Sequence, residues 1–187
     1  MKPLCIDLFP LPGGWTDAFL DLGYRVVGFN TGAPAQIIDA YRGELVLQDV
    51  ATVDGRRIRP WHPRVVIASP PCTWFSLARN RDGRDVARGM VLVREAKRVI
   101  EEADPDYWII ENVRGAYRAI SAELGPPLHS GMHNQAHWLW GRMPPTILPR
   151  VPKTMTSLGR GQKLTRTWDH SRIPYPLAHA VAEACLP

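Results

Sequence analysis

Cys72 stands in the run Ser69-Pro70-Pro71-Cys72-Thr73-Trp74-Phe75-Ser76, directly after the apolar stretch Val65-Val66-Ile67-Ala68. That stretch has the unbroken apolar pattern of a strand buried on both faces of a parallel sheet. Two prolines cannot continue the ladder, so the chain leaves the sheet at its carboxyl end, and Cys72 is the first reactive side chain beyond the break. The crevice outside the carboxyl ends of strands is where open α/β folds bind ligands. A cysteine held there is a candidate nucleophile; the alternative is a small buried apolar residue, the commonest state of a free cysteine. A second candidate follows the apolar run Tyr107-Trp108-Ile109-Ile110, where Glu111 is succeeded by Asn112 and Val113. A carboxyl at the end of a buried strand borders the same crevice. Partial desolvation raises its pKa and lets it hold and deliver a proton near neutrality.

These two groups require a scaffold of alternating strands and helices. Leu4 to Phe9 reads as a first strand, Gly13-Gly14 as a tight turn, and Trp15 to Leu22 as a helix with Trp15, Phe19 and Leu22 on one face. A strand, glycine turn and helix let a ligand approach the backbone closely. The turn has neither the Lys-Ser/Thr of a phosphate loop nor full GxGxxG spacing, so a dinucleotide site is poorly supported. Arg25 to Phe29 reads as strand two, Ala35 to Tyr41 as a helix and Leu45 to Gln48 as a short strand. Asp54 to Pro63 is a basic, proline-bearing loop. An amphipathic helix runs from Asp85 to Ala103, its apolar face carrying Val86, Met90, Val93, Ala96, Ile100 and Ala103. Asp104-Pro105 ends it. A helix near Ala116 to Leu124, a hairpin-like pair from Leu128 to Gly141, an irregular loop over 144–167 and a last helix from Pro174 complete the chain. That helix turns Leu177, Val181 and Cys185 inward.

Taken in order, these segments resemble the DNA cytosine-5 methyltransferases, most of all the short bacteriophage forms. Asp7 to Gly14, DLFPLPGG, is similar to that family's DLFxGxGG cofactor loop, and Gln48-Asp49-Val50 stands where the family keeps an aspartate for the cofactor adenine. SPPCTWFS is similar to the PPCQxFS nucleophile motif, Glu111-Asn112-Val113 to ENV, and His137-Trp138-Leu139-Trp140 to the late phage strand KxTxLW. Ser171-Arg172-Ile173-Pro174, with Leu177 and Ala178, resembles the GNxVPxxL segment that closes the cofactor pocket. The resemblance implies an α/β, Rossmann-like S-adenosylmethionine-dependent fold, mostly parallel, with helices on both faces. It implies methyl transfer to C5 of cytosine in DNA through a covalent Cys72 adduct, with Glu111 holding the ring. Phe9, Pro10, Gly13, Gly14, Asn30, Asp49, Val50, Pro71, Ser171 and Arg172 are then expected at S-adenosyl-L-methionine, with Phe9 on the adenine and Pro71 beside the methyl group. Ser76 and Asn112 are expected at the substrate.

The departures from the family pattern are specific. Leu11 replaces the central glycine of the cofactor loop, and Gly28-Phe29-Asn30-Thr31 offers no acid for the cofactor ribose. Gln135-Ala136-His137-Trp138-Leu139 takes the place of QxRxR, whose arginine supports the target base. Arg172 stands beside Ser171, which replaces the usual Asn; the arginine turns outward or holds an anion there. About twenty residues fill the gap that family members use for a recognition domain, too few for an independent unit. The alternatives are therefore a cofactor-binding subunit needing a protein partner for target recognition, or an alkyltransferase acting on a nucleotide or single strand or using a modified cofactor.

Composition fits one catalytic domain over 1–187. The 187 residues are 45% hydrophobic, enough for a single buried core. Three cysteines, Cys5, Cys72 and Cys185, are widely spaced without CxxC, which argues against zinc or a disulfide framework and suits a reducing cytoplasm. His129, His133 and His137 recur at intervals of four, but Ser130-Gly131 and Asn134 disfavour a helix through them, so no metal is expected. No apolar run is long enough to span a membrane, and no signal peptide precedes the first strand. The net charge of +5 suits a polyanionic partner such as DNA. Arg79 to Arg88 follows the nucleophile loop directly, where Arg79 is expected to meet phosphate; a solvated charged surface is the alternative.

Overall fold

The structure is a computed structural model describing residues 2–31, 39–75, 85–128, 137–149 and 173–187. Its elements are strands β1 (Leu4–Leu8), β2 (Arg25–Asn30), β3 (Glu44–Leu47), β4 (Val65–Ala68), β5 (Tyr107–Val113) and β6 (His137–Arg142), and helices α1 (Trp15–Asp21), α2 (Val86–Ala103), α3 (Tyr117–Leu124) and α4 (Tyr175–Ala184). The strands form one sheet in the order β3-β2-β1-β4-β5-β6. All neighbours are parallel except β5 and β6. The strand order reverses between β1 and β4, so the loops leaving these two strands diverge around a crevice.

Burial follows the apolar runs. Every residue of β1 and β4 is buried, because both faces of the sheet are covered. Trp15 and Phe19 of α1 and Leu177 and Val181 of α4 pack on one face, against Cys5, Val26, Ile67, Ile109 and Leu139. On the other face Ala96, Val99, Ile100 and Ala103 of α2 cover Ile6, Leu8, Val66 and Ile110. Each such aliphatic side chain contributes about 1.5–3 kcal/mol on burial. Asp85 caps α2 by accepting from the Arg88 amide at 2.9 Å, and Asp104 ends it in the left-handed region at φ 50, ahead of Pro105.

The described residues refine the expected elements in several places. Strand β5 does not stop before Glu111; it continues through Asn112 to Val113, because β6 pairs with it as far as Val113↔His137. Of the hairpin-like pair expected over 128–141, the described residues hold β6, partnered by β5, and Leu128, which donates one backbone hydrogen bond to Leu139 at 2.8 Å. Residues 129–136 lie outside the described residues. Of the helix expected at Ala35 to Tyr41, only 39–40 is described as helical, and 32–38 lies outside. The basic loop over 54–63 contains two short 3-10 turns, Gly55–Arg57 and Arg59–Trp61. Residues 143–149 have no regular structure, and the rest of the expected irregular loop lies outside the described residues.

Candidate active site

Strand β1 ends because Phe9 turns into the left-handed region, φ 64, a conformation that costs a non-glycine residue roughly 1–2 kcal/mol. Its amide is still satisfied, donating to Phe29 O at 3.0 Å. The loop then passes over β2, where the Asn30 side chain donates through Nδ2 to Pro10 O at 2.8 Å. Gly28 makes this passage possible, since a Cβ there would collide with the Tyr41 hydroxyl and the Pro10 ring. Gly13 and Gly14 both have positive φ, 79 and 62, and deliver the chain into α1. The result is a half-open cleft lined by Asp7, Phe9, Pro10, Gly13, Gly14 and Ser69, among others, and closed on one side by Ile173.

The floor of this cleft carries an acid that sequence reasoning passed over. Asp7 is 2% exposed and accepts from Thr16 Oγ1 at 2.8 Å; Thr16 Oγ1 lies 3.2 Å from the Tyr41 hydroxyl. Burial pushes Asp7 up to about 7, with the Thr16 bond opposing. At neutral pH the cleft can therefore gain a negative charge when a cation enters it. An aromatic ring, two side-chain-free turns and a latent carboxylate suit a ligand that joins a flat heterocycle to a cationic amino-acid end, as S-adenosylmethionine does.

On the neighbouring strand, Ser69 accepts from the Trp15 indole at 3.0 Å, which ties α1 to the segment leading to the nucleophile. Pro71 precedes a 3-10 turn over Cys72–Trp74, closed by Phe75 N donating to Cys72 O at 3.0 Å. Phe75 is fully buried with Met90, Val93, Ile120 and Trp140, so its role is packing. Trp74 lies under the Arg88 guanidinium, 4.2 Å from ring centroid to Cζ. Cys72 is half-buried and free. Burial pushes its thiol up, the Glu111 charge adds to this, and a backbone hydrogen bond at Cys72 opposes both. Cys72 and Glu111 are thus close enough to sense each other electrostatically, and the resting nucleophile is a thiol.

Strand β5 supplies the other half. Glu111 is 7% exposed, and its Oε1 lies 2.8 Å from His137 Nδ1. Asn112 points to the opposite face and is buried; its Nδ2 donates to Pro70 O at 2.9 Å and its Oδ1 accepts from the Val113 amide at 2.9 Å. Asp49 is exposed beyond β3, where its carboxylate caps a short turn by accepting from Ala51 N at 3.0 Å, while Val50 beside it is buried in the core. The sheet thus brings Phe9, Pro10, Gly13, Gly14, Pro71, Cys72, Glu111 and Asn112 to one edge, with Asn30, Asp49 and Val50 at the same ends of their strands. Ser76, Arg79, Ser171 and Arg172 lie outside the described residues. Among the described residues there is no metal-ligating group of three side chains, and no helix long and apolar enough to cross a membrane.

Comparison with known proteins gives this arrangement a family context. A family model for C-5 cytosine-specific DNA methylase matches residues 4–122, a span from β1 into α3. Type II methyltransferase M.AquIA of Picosynechococcus sp. is 32% identical over 151 residues, covering 68% of this chain and 58% of that protein. M.XorII of Xanthomonas oryzae pv. oryzae is 33% identical over 129 residues, covering 61% of this chain and 29% of its own length. The chain thus spans somewhat over half of the first relative and under a third of the second. A solved DNA modification methyltransferase encoded within an E. coli prophage superposes with a TM-score of 0.51 at 22% identity, over 65% of this chain and 35% of that one. That last likeness is one of fold.

Proposed function

We propose methyl transfer to C5 of cytosine in DNA for this chain, which belongs to the C-5 cytosine-specific DNA methylase family. The observation that carries the proposal is the placement of three groups at one sheet edge. Cys72 follows β4, Glu111 lies on the adjacent β5, and the glycine-lined cleft opens from the other neighbour, β1.

Cytosine is a weak nucleophile at C5, so the ring must be activated first. For a duplex substrate, the base is extruded from the stack into the crevice. The Cys72 thiol gives up its proton and the Glu111 carboxylate takes one, through solvent; the thiolate sulfur then bonds to C6, and the C5–C6 electron pair shifts toward N3, which takes the proton from Glu111. S-adenosylmethionine, when bound, supplies the sulfonium methyl group that the activated C5 takes. Release of the C5 proton to solvent restores the double bond, Cys72 departs as thiolate, and the N3 proton returns to Glu111. The raised pKa of Cys72 in the resting site makes deprotonation part of substrate engagement. Phe9, Pro10, Gly13 and Gly14 would hold the cofactor, with Asp49 and Val50 toward its adenine and Pro71 toward the reacting end. Asn30 shapes that site through its bond to Pro10 O. Arg172 is proposed to hold an anion there, and Ser76 and Arg79 to meet the nucleic acid.

A duplex carrying 5-fluorocytosine tests the mechanism, because fluorine cannot leave C5 as a cation and the adduct persists. With S-adenosylmethionine, the parent should form a denaturation-resistant protein–DNA adduct, and Cys72→Ala should form none. Substantial transfer of labelled methyl by Cys72→Ala would sink the covalent route. The gap of about twenty residues where family members keep a recognition domain supports one further reading, a catalytic chain that needs a second protein to recognise its target. Cofactor binding without turnover, restored by a partner polypeptide, is its signature. Duplex, single-stranded and nucleotide acceptors assayed side by side identify the substrate.

A further inference from the structure

The Glu111–His137 contact joins a residue inside the span matched by the family model, which ends at residue 122, to one outside it. In the antiparallel ladder Glu111 pairs with Leu139 and Val113 with His137. Glu111 and His137 are therefore diagonal neighbours, two residues apart in register and on the same face of the sheet. Both side chains are buried, 9% and 8% exposed, and Glu111 Oε1 lies 2.8 Å from Nδ1. The other ring nitrogen, Nε2, is buried and has no hydrogen-bond partner among the described residues. A buried unpaired ring nitrogen costs free energy and calls for an explanation in function.

We propose that His137 and Glu111 form one acid–base couple, in which His137 is the positioning residue that fixes the Glu111 carboxyl and balances its charge during the reaction. The inference rests on the reading of Glu111 given above. Nδ1–H donates to Oε1, which orients the carboxyl and leaves Oε2 as the oxygen available to the base. When Glu111 passes its proton to N3, its carboxyl becomes negative, and Nδ1–H is already in place to stabilise that charge. When Cys72 is eliminated, the proton returns to Glu111, and His137 is unchanged. Locking Nδ1 as the donor also fixes the tautomer, leaving Nε2 as a lone-pair acceptor in the neutral ring.

Other titratable or charged groups border this pair. Cys72 approaches from the turn after β4 and is coupled to Glu111. Asp7 of β1 lies on the same face, since it pairs with Ile67, which pairs with Ile109. Arg114 and Arg118 leave the end of β5 and α3 but are exposed. Cys72, which senses Glu111, and the buried Asp7 two strands away on the same face are therefore the controls.

Nitrogen-15 NMR of the imidazole tests the proposal without requiring turnover. Spectra are recorded across pH for the parent, Glu111→Gln, Cys72→Ser and Asp7→Asn, each checked for folding by thermal denaturation. In the parent, the neutral His137 ring should be the Nδ1–H tautomer. Glu111→Gln should move the Nδ1 resonance and weaken the preference for that tautomer, while Cys72→Ser and Asp7→Asn should leave both largely in place. An Nε2–H tautomer in the parent, or an Nδ1 resonance unchanged in Glu111→Gln, overturns the couple. Kinetics add a second arm: His137→Leu should cut kcat at least a hundredfold with cofactor affinity within twofold of the parent. His137→Gln, which keeps a donor, should recover at least tenfold of that loss and move the pH optimum. A folded His137→Leu with kcat and pH profile like the parent would also overturn it. Absence of a 5-fluorocytosine adduct in the parent would instead count against the methyl-transfer reading, which the NMR arm does not depend on.

Discussion

The side-chain amide of Asn112 donates to the carbonyl of Pro70 at 2.9 Å, so the strand that carries Glu111 holds the turn that carries Cys72 by a direct bond. This bond is buried, where loss of a partner leaves the Pro70 carbonyl unsatisfied. Asn112→Ala should therefore destabilise the fold by about 1–3 kcal/mol. It should lower kcat more than it raises the cofactor Kd, because the turn moves while the β1 cleft stays. Chemical denaturation and cofactor calorimetry measure the two effects; a loss confined to cofactor binding would contradict the assignment.

Glu111 and Cys72 are coupled electrostatically, and the sign of the effect can be tested directly. The Glu111 charge helps push the Cys72 thiol up. Glu111→Gln removes that charge, so Cys72 should form thiolate at lower pH and react faster with iodoacetamide near pH 8, even as methyl transfer collapses. Slower alkylation in this variant would mean that the two groups are not neighbours in solution.

Asp7 should impose a pH dependence on stability. Its folded-state pKa is about 7, whereas an exposed aspartate titrates near 4. Between those values the folded protein binds a proton that the unfolded chain has released, so this group's contribution falls as pH rises through that window. Asp7→Asn imitates the protonated acid. Relative to the parent, it should gain at least about 1 kcal/mol between pH 4 and pH 8 in urea denaturation. Parallel curves would show that Asp7 is ionised in the fold.

Gly14 combines a φ of 62 with the Ile173 backbone 3.2 Å from where a Cβ would sit. Gly14→Ala should cost roughly 1–2 kcal/mol and lower Tm by about 2–8 °C. Because Ile173 closes the cleft, cofactor affinity should fall as well. Unchanged affinity would separate this turn from cofactor binding.

Asp49→Ala discriminates between two uses of one carboxylate. If Asp49 only caps its short turn, the variant should lose about 0.5–2 kcal/mol of stability with cofactor affinity intact. If it also meets the adenine as proposed, affinity should fall between a few-fold and a hundredfold, as measured by calorimetry.

The strands of this fold are legible in the sequence wherever they are apolar and terminate at a turn residue. Val65 to Ala68 before the two prolines is the clearest case. The nucleophile turn and the glycine loop are legible for the same reason, since proline and glycine restrict or release the backbone locally. The Glu111–His137 pair is not, because it depends on the register between two strands 24 or more residues apart in sequence, set by pairing through Val113↔His137. A signal was present nonetheless: His137 and Leu139 alternate onto one face, in the segment that the family resemblance sets against QxRxR. Asp7 was missed because a motif aspartate next to apolar neighbours gives no hint of whether its partner is water or, as here, Thr16.

Strand β4 behaves as a ruler clamped at both ends. At its entry Arg64 holds Asp106 at 2.6 Å and the carbonyls of Cys185 and Leu186 at 3.0 and 3.1 Å; past its exit Pro70 is held by Asn112. Adding one residue inside the strand would advance the nucleophile by about 3.3 Å and turn every following side chain to the opposite face. Neither clamp could absorb that slip. Viable descendants of this chain should therefore vary β4 by substitution alone and confine changes of length to segments outside the clamps, such as the turns between β3 and Arg64.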